Sequence, residues 1–143
     1  MKSTQETDKF LETATLGQFS QYLTGDYTSE YKSLSDYLNQ YISKHSLEVK
    51  NIVTDSGLSR DYAYQILNGR RANPSRDKLI PICLAMHMNL EDTNRALKIS
   101  KSGTLYSKDK RDAIIILCIN QNIFDVIKIN SILYEKGMET LPV

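Results

Sequence analysis

From about residue 30 to residue 136, apolar side chains return every three or four positions, and no stretch alternates apolar and polar residues between turn signals. That period is helical, so the chain reads as all-α. An earlier, weaker helix is expected over about 15–23, with Leu16, Phe19, Tyr22 and Leu23 on one side and Thr24-Gly25-Asp26 as its stop. The next, about 30–44, turns Leu34, Leu38, Tyr41 and Ile42 inward and breaks near His45-Ser46.

Punctuation divides the rest. Ser46 is expected to cap a short helix over about 47–55, and Ser59 one over about 60–68, each hydroxyl accepting from an otherwise unpaired amide. Gly57 supplies positive φ between them, and Asn68-Gly69 ends the second. Asn73-Pro74 enforces an extended or turn geometry. Ser75 then caps a helix carrying Leu79, Ile80, Cys83, Leu84 and Met86, which Pro81 is expected to bend or to displace. Three more helices are expected over about 90–101, 108–121 and 123–136, with Ser107 and Asn122 as caps and Gly137 as a stop. TNRALKISKSGTLY and INSILYEKGMETL share a spacing, Asn94, Leu97, Leu105 and Asn130, Leu133, Leu141, that suggests two similar helix-end packing units.

The segment GLSRDYAYQILNGRRANP, residues 57–74, separates two faces most cleanly. With Arg60 at zero and about 100° per residue, Tyr62, Ala63, Ile66 and Leu67 fall between roughly 200° and 340°. Arg60, Asp61, Tyr64, Gln65 and Asn68 occupy roughly 0° to 140°. One arc is a core face. The other carries forked and amide side chains of the kind that read base edges: Arg against guanine O6 and N7, Gln or Asn against adenine N6 and N7.

Charge sharpens this. The net charge is only +1, but residues 1–43 hold three lysines against six acids, whereas residues 44–78 hold seven basic residues against four acids. The two-faced segment lies in the basic middle, where a polyanion would be favoured. An apolar content of 41% suits a soluble globular chain, and no apolar run approaches the roughly 18 residues of a membrane span, so a cytoplasmic protein is the expectation. Cys83 and Cys118 sit within apolar stretches and read as buried free thiols. Cys83 and His87 have the spacing of a metal-ligand pair, but two cysteines and two histidines in the whole chain fall short of a structural zinc set, so no metal or cofactor is expected. No phosphate loop, nucleophile elbow or paired catalytic acids occur, and an enzyme is not expected.

From Ile52 to Pro74 the chain resembles the Cro and phage-repressor family of helix-turn-helix proteins, the XRE type. The residues that carry the likeness are Gly57, Leu58, Ser59, the helix through Leu67, Gly69, Arg70-Arg71 and Asn73-Pro74-Ser75; it extends less sharply over about 31–92. Val49 stands where the family usually has a backbone-contacting Gln, Val53 where it has a small Ala, and Ile66 and Leu67 where it has Trp and an acid. Val53 is expected to widen the helix crossing, and Lys50 to take over part of the phosphate contact Val49 lacks.

The resemblance implies an all-α, phage-repressor-like bundle: residues 1–30 a tail and short helical extension, 31–92 the helix-turn-helix domain, and 93–143 a C-terminal helical segment for packing or dimerisation. It implies base contacts by Ser59, Arg60, Asp61, Tyr64, Gln65 and Asn68, and phosphate contacts by Gly69, Arg70, Arg71 and Asn73. Asp61 also helps the first turn of its own helix. The expected function is a sequence-specific, dimeric regulator of double-stranded DNA. The rival is a protein-interaction adaptor that uses the surface of the same scaffold on another protein, favoured by the low net charge, Val49, Asp61 and the acidic first third; a protein partner through the N-terminal or C-terminal segments is a further expectation.

Overall fold

The computed structural model describes residues 31–143. The helix expected over 15–23 lies outside them. The described residues contain seven α-helices and no strand: α1 (Leu34–Lys44), α2 (Val49–Ser56), α3 (Arg60–Leu67), α4 (Arg76–Ala85), α5 (Leu90–Ile99), α6 (Lys110–Asn120) and α7 (Val126–Glu135). Ser33–Val143 pack as one compact unit, so residues 93–143 share a core with the helices that precede them.

The centre of that unit is α4. Every residue from Leu79 to Ala85 is buried, and α2, α5 and α7 pack around it. A helix that is apolar all round belongs inside. Pro81 sits within α4 without stopping it or moving its start from Arg76. A proline here removes one backbone hydrogen bond and costs about 3 kcal/mol. Leu79, Ile80, Ile82 and Leu84 are fully buried, and each such side chain contributes about 1.5–3 kcal/mol, so packing outweighs the defect.

Several caps differ from expectation, and acidic side chains account for most of the difference. Ser46 has a positive φ of 53° and precedes α2, whose N-cap is Glu48 with no side-chain bond. Asp109 rather than Ser107 caps α6, accepting from the Asp112 amide at 2.9 Å. Asp125 rather than Asn122 caps α7, accepting from Ile127 at 2.9 Å, while Asn122 takes a positive φ of 59° in the preceding turn. A carboxylate satisfies unpaired amides and the positive helix end together, so it holds a start that a neutral hydroxyl or amide a few residues earlier does not. Ser75 occupies the N-cap of α4 without using its side chain. Ser33 caps α1, which begins at Leu34.

The repeated Asn–Leu–Leu spacing forms the same device twice. Asn94 Oδ1 accepts from the Leu105 amide at 2.9 Å, and Asn130 Oδ1 from the Leu141 amide at 2.7 Å. In each case the helix asparagine pins the returning chain, and its leucines are buried.

Two reciprocal ion pairs join the starts of α4 and α6. Arg76 pairs with Asp112, and Arg111 pairs bidentately with Asp77 at 2.9 and 3.1 Å. Asp112 is only 3% exposed and also accepts from the Tyr106 amide at 2.9 Å. Arg111 Nε donates to the Glu139 carbonyl at 2.7 Å, which fixes the final segment. Val143 reaches the turn at Gly57, where a Cβ added to the glycine would lie 3.0 Å from the Val143 Cβ.

Candidate nucleic-acid interface

The site is assembled on the α2–α3 pair. Gly57 closes α2 at a φ of 72°. Beside it Ser56, fully buried, donates to the Val53 carbonyl at 2.8 Å and accepts from the Leu58 amide at 3.2 Å. Both polar functions of a buried hydroxyl are thereby satisfied, which makes the turn a fixed joint rather than a hinge. Ser59 then caps α3 by accepting from the Tyr62 amide at 3.3 Å. Ala63, Ile66 and Leu67 are buried, and α3 packs on α1 and α2. Asn39 of α1 donates to the Leu67 carbonyl at 2.9 Å, anchoring the far end of the helix.

This seating leaves Arg60, Asp61 and Asn68 exposed and Tyr64 and Gln65 half-buried. Tyr62, expected on the inner arc, is half-buried at its edge. Lys50, Arg60 and Tyr64 come together along a cleft of about 520 Å³ between α2 and α3, floored by Val53 and Leu58. The Arg60 guanidinium lies 5.6 Å from the Tyr64 ring centre, within cation–π range. Val53 is buried and still admits this cleft.

A second cluster forms where the chain returns after α3. Asn68 Oδ1 accepts from the Arg70 amide at 2.9 Å, a local turn that occupies its carbonyl and leaves the amide nitrogen as its free end. Gly69 adopts a φ of 87°, and a Cβ there would meet Ser35 Oγ at 2.9 Å. Only glycine lets the loop lie this close to α1. The loop then folds back, so that the Arg71 amide donates to the Gln65 carbonyl at 3.0 Å and Arg71 Nε to Gln65 Oε1 at 2.7 Å. The Arg71 guanidinium lies 4.2 Å from the Tyr62 ring centre, and Lys78 Nζ approaches the same ring at 5.2 Å.

Asn73 stands apart from both clusters. In the orientation its neighbours require, its amide nitrogen donates to the carbonyls of Ala72 at 3.2 Å and Ser100 at 3.3 Å, which pins the loop to the end of α5. The sequence pattern marks Tyr62 only as part of the core arc and does not mark Lys78 as a site residue. Their place depends on the returning loop, which has no periodic signal; the one available hint was an aromatic at the edge of the apolar arc.

Elsewhere the chemistry is quiet. Burial pushes the Cys83 thiol up to about 12, with Asp92 adding to the effect, and burial likewise raises Cys118. Both are free thiols. His87 turns outward at a φ of 56° and stacks on Phe124 with ring centres 4.6 Å apart. The His45 ring packs at a tilt against Tyr41, with ring centres 4.1 Å apart. Among the described residues no helix is long and apolar enough to cross a membrane.

No protein-family model matches the chain, and neither a curated protein nor a solved structure matches it.

Proposed function

We propose that this chain is a sequence-specific double-stranded DNA-binding regulator in which α3 enters the major groove and α2 lies across the backbone, in the manner of XRE-type helix-turn-helix proteins. The observation that carries the reading is the outward arc of α3. Arg60, Tyr64 and Gln65 lie outside the core on a helix whose start, end and underside are all fixed, and cationic groups stand on either side. Lys50 flanks the start of α3, and Arg70 and Arg71 flank its end. Base-reading groups at the centre with phosphate-neutralising groups at the margins is the division of labour a DNA interface requires. Asp61 suits this arrangement by stabilising the first turn of α3 and by accepting from a cytosine amine.

The proposal includes a homodimer, because two half-sites one duplex turn, roughly 34 Å, apart multiply the phosphate contacts of a small domain. The outer face of α7 supports a second copy as occupant. Ile127 is 75% exposed and Tyr134 80% exposed, seven residues apart on that helix. Lys128 and Glu135 repeat the same spacing beside them, so an antiparallel pairing of two α7 helices sets Ile127 near the copy's Tyr134 and unlike charges near each other.

Selection from random duplexes followed by salt titration tests the function. Arg60→Ala and Gln65→Ala are expected to lose sequence preference, whereas Arg70→Ala weakens binding to every sequence and reduces the salt slope by about one. A captured protein partner together with a flat salt response would favour the adaptor reading instead.

A further inference from the structure

We infer that Arg71 is a specificity-setting residue: by engaging the carbonyl end of the Gln65 amide, it leaves the Nε2 donor as the end offered to a base and favours guanine over adenine at the base pair Gln65 meets. The inference rests on the DNA-binding reading above and deepens it.

Arg71 Nε donates to Gln65 Oε1 at 2.7 Å. An arginine Nε–H has no acceptor capacity, so this contact also decides which end of the amide is oxygen. Three further interactions hold the pair. The Arg71 backbone amide donates to the Gln65 carbonyl at 3.0 Å. Tyr62 supports the guanidinium face at 4.2 Å, and Gly69, tight against Ser35, sets the path of the returning loop. Arg71 is therefore oriented before any ligand arrives.

A glutamine reads adenine bidentately by accepting from N6 with its oxygen while donating to N7 with its nitrogen. Here one lone pair of Oε1 is already taken by the Arg71 cation, so an adenine N6 donor has to share that oxygen with it, while Nε2 stays free to donate. The neighbouring guanidinium nitrogens of Arg71 also only donate. An array of donors meets two acceptors on guanine, N7 and O6, but on adenine it meets one acceptor and the N6 amino group, which is itself a donor. The second contact becomes unfavourable for adenine and favourable for guanine. Arg71 thus acts through Gln65 as a positioning residue, in addition to any contact its own charge makes with the backbone.

The test is selection from random duplexes by the full chain and by two variants. Gln65→Ala identifies the base pair concerned as the one whose preference disappears. At that base pair the unaltered chain is expected to enrich guanine. Arg71→Lys keeps the charge but lacks the Nε donor; it is expected to retain helical content by circular dichroism and a similar salt slope, while guanine preference over adenine falls about tenfold. A merely electrostatic Arg71 would leave base preference intact under this substitution. Adenine at the Gln65 base pair, or an unchanged motif in Arg71→Lys, overturns the inference and leaves DNA binding standing. Failure of any duplex to enrich overturns both.

Discussion

The smallest decisions in this fold concern which atom of a side chain is already occupied. Asn68 and Gln65 both look like base-reading amides in the sequence, yet each has its oxygen engaged by the backbone or side chain of the next two arginines. That polarity was not legible, because it depends on a loop that returns through the left-handed conformation of Gly69. The inward choice of Ala63, Ile66 and Leu67 was legible, because it follows from helical period alone. Gly69→Ala is expected to cost about 1–2 kcal/mol through its positive φ, with more from the approach to Ser35 Oγ, and to lower the urea midpoint. An unchanged midpoint would mean that the loop does not need this conformation. The cysteines make a second prediction at this scale. Burial pushes the Cys83 thiol up to about 12 and raises Cys118, and both side chains are buried, so neither offers an accessible thiolate near neutral pH. A thiol-disulfide reagent should register no fast-reacting group in the native protein and two after unfolding; a thiol reacting within seconds would contradict the buried placement.

At the level of elements, position along the chain came through the apolar period; α3 and α5 start where expected, while α1, α2, α6 and α7 start two to four residues later. Val126 rather than residue 123 begins α7, and Lys110 rather than residue 108 begins α6, since Asp125 and Asp109 are stronger caps than the residues upstream. The Asn94 and Asn130 units show the opposite case, a weak repeat that corresponds to one hydrogen-bonding device used twice. What a linear pattern could not announce was the join between α4 and α6. Arg76–Asp112 and Asp77–Arg111 are 36 and 34 residues apart in sequence, and ion pairs across a fold leave no periodic trace. Arg76→Met removes the partner of a carboxylate that is 3% exposed, and breaking such a pair is expected to cost about 3 kcal/mol at neutral pH. Chemical denaturation measures it. A loss below about 0.5 kcal/mol, typical of exposed pairs, would show that solvent rather than Arg76 compensates Asp112.

For the molecule as a whole, α4 is the shared foundation: it packs on α2, beneath the proposed reading helix, and on α7, which carries the proposed seam. The C-terminal residues close the arrangement by reaching back to Gly57. Tyr134→Lys is expected to shift the protein from dimer to monomer in sedimentation equilibrium while leaving its helical content unchanged. A dimer that survives this change would place the seam elsewhere. In the proposed function the arc of Arg60, Tyr64 and Gln65 reads DNA, with Lys50, Arg70 and Arg71 holding the backbone. Its most direct test is a fluorescence-anisotropy titration of random-sequence and selected duplexes across a series of salt concentrations. Tighter binding to an enriched motif is expected, with a logarithmic affinity that falls steeply with the logarithm of salt. No binding to any duplex pool at low salt would contradict it.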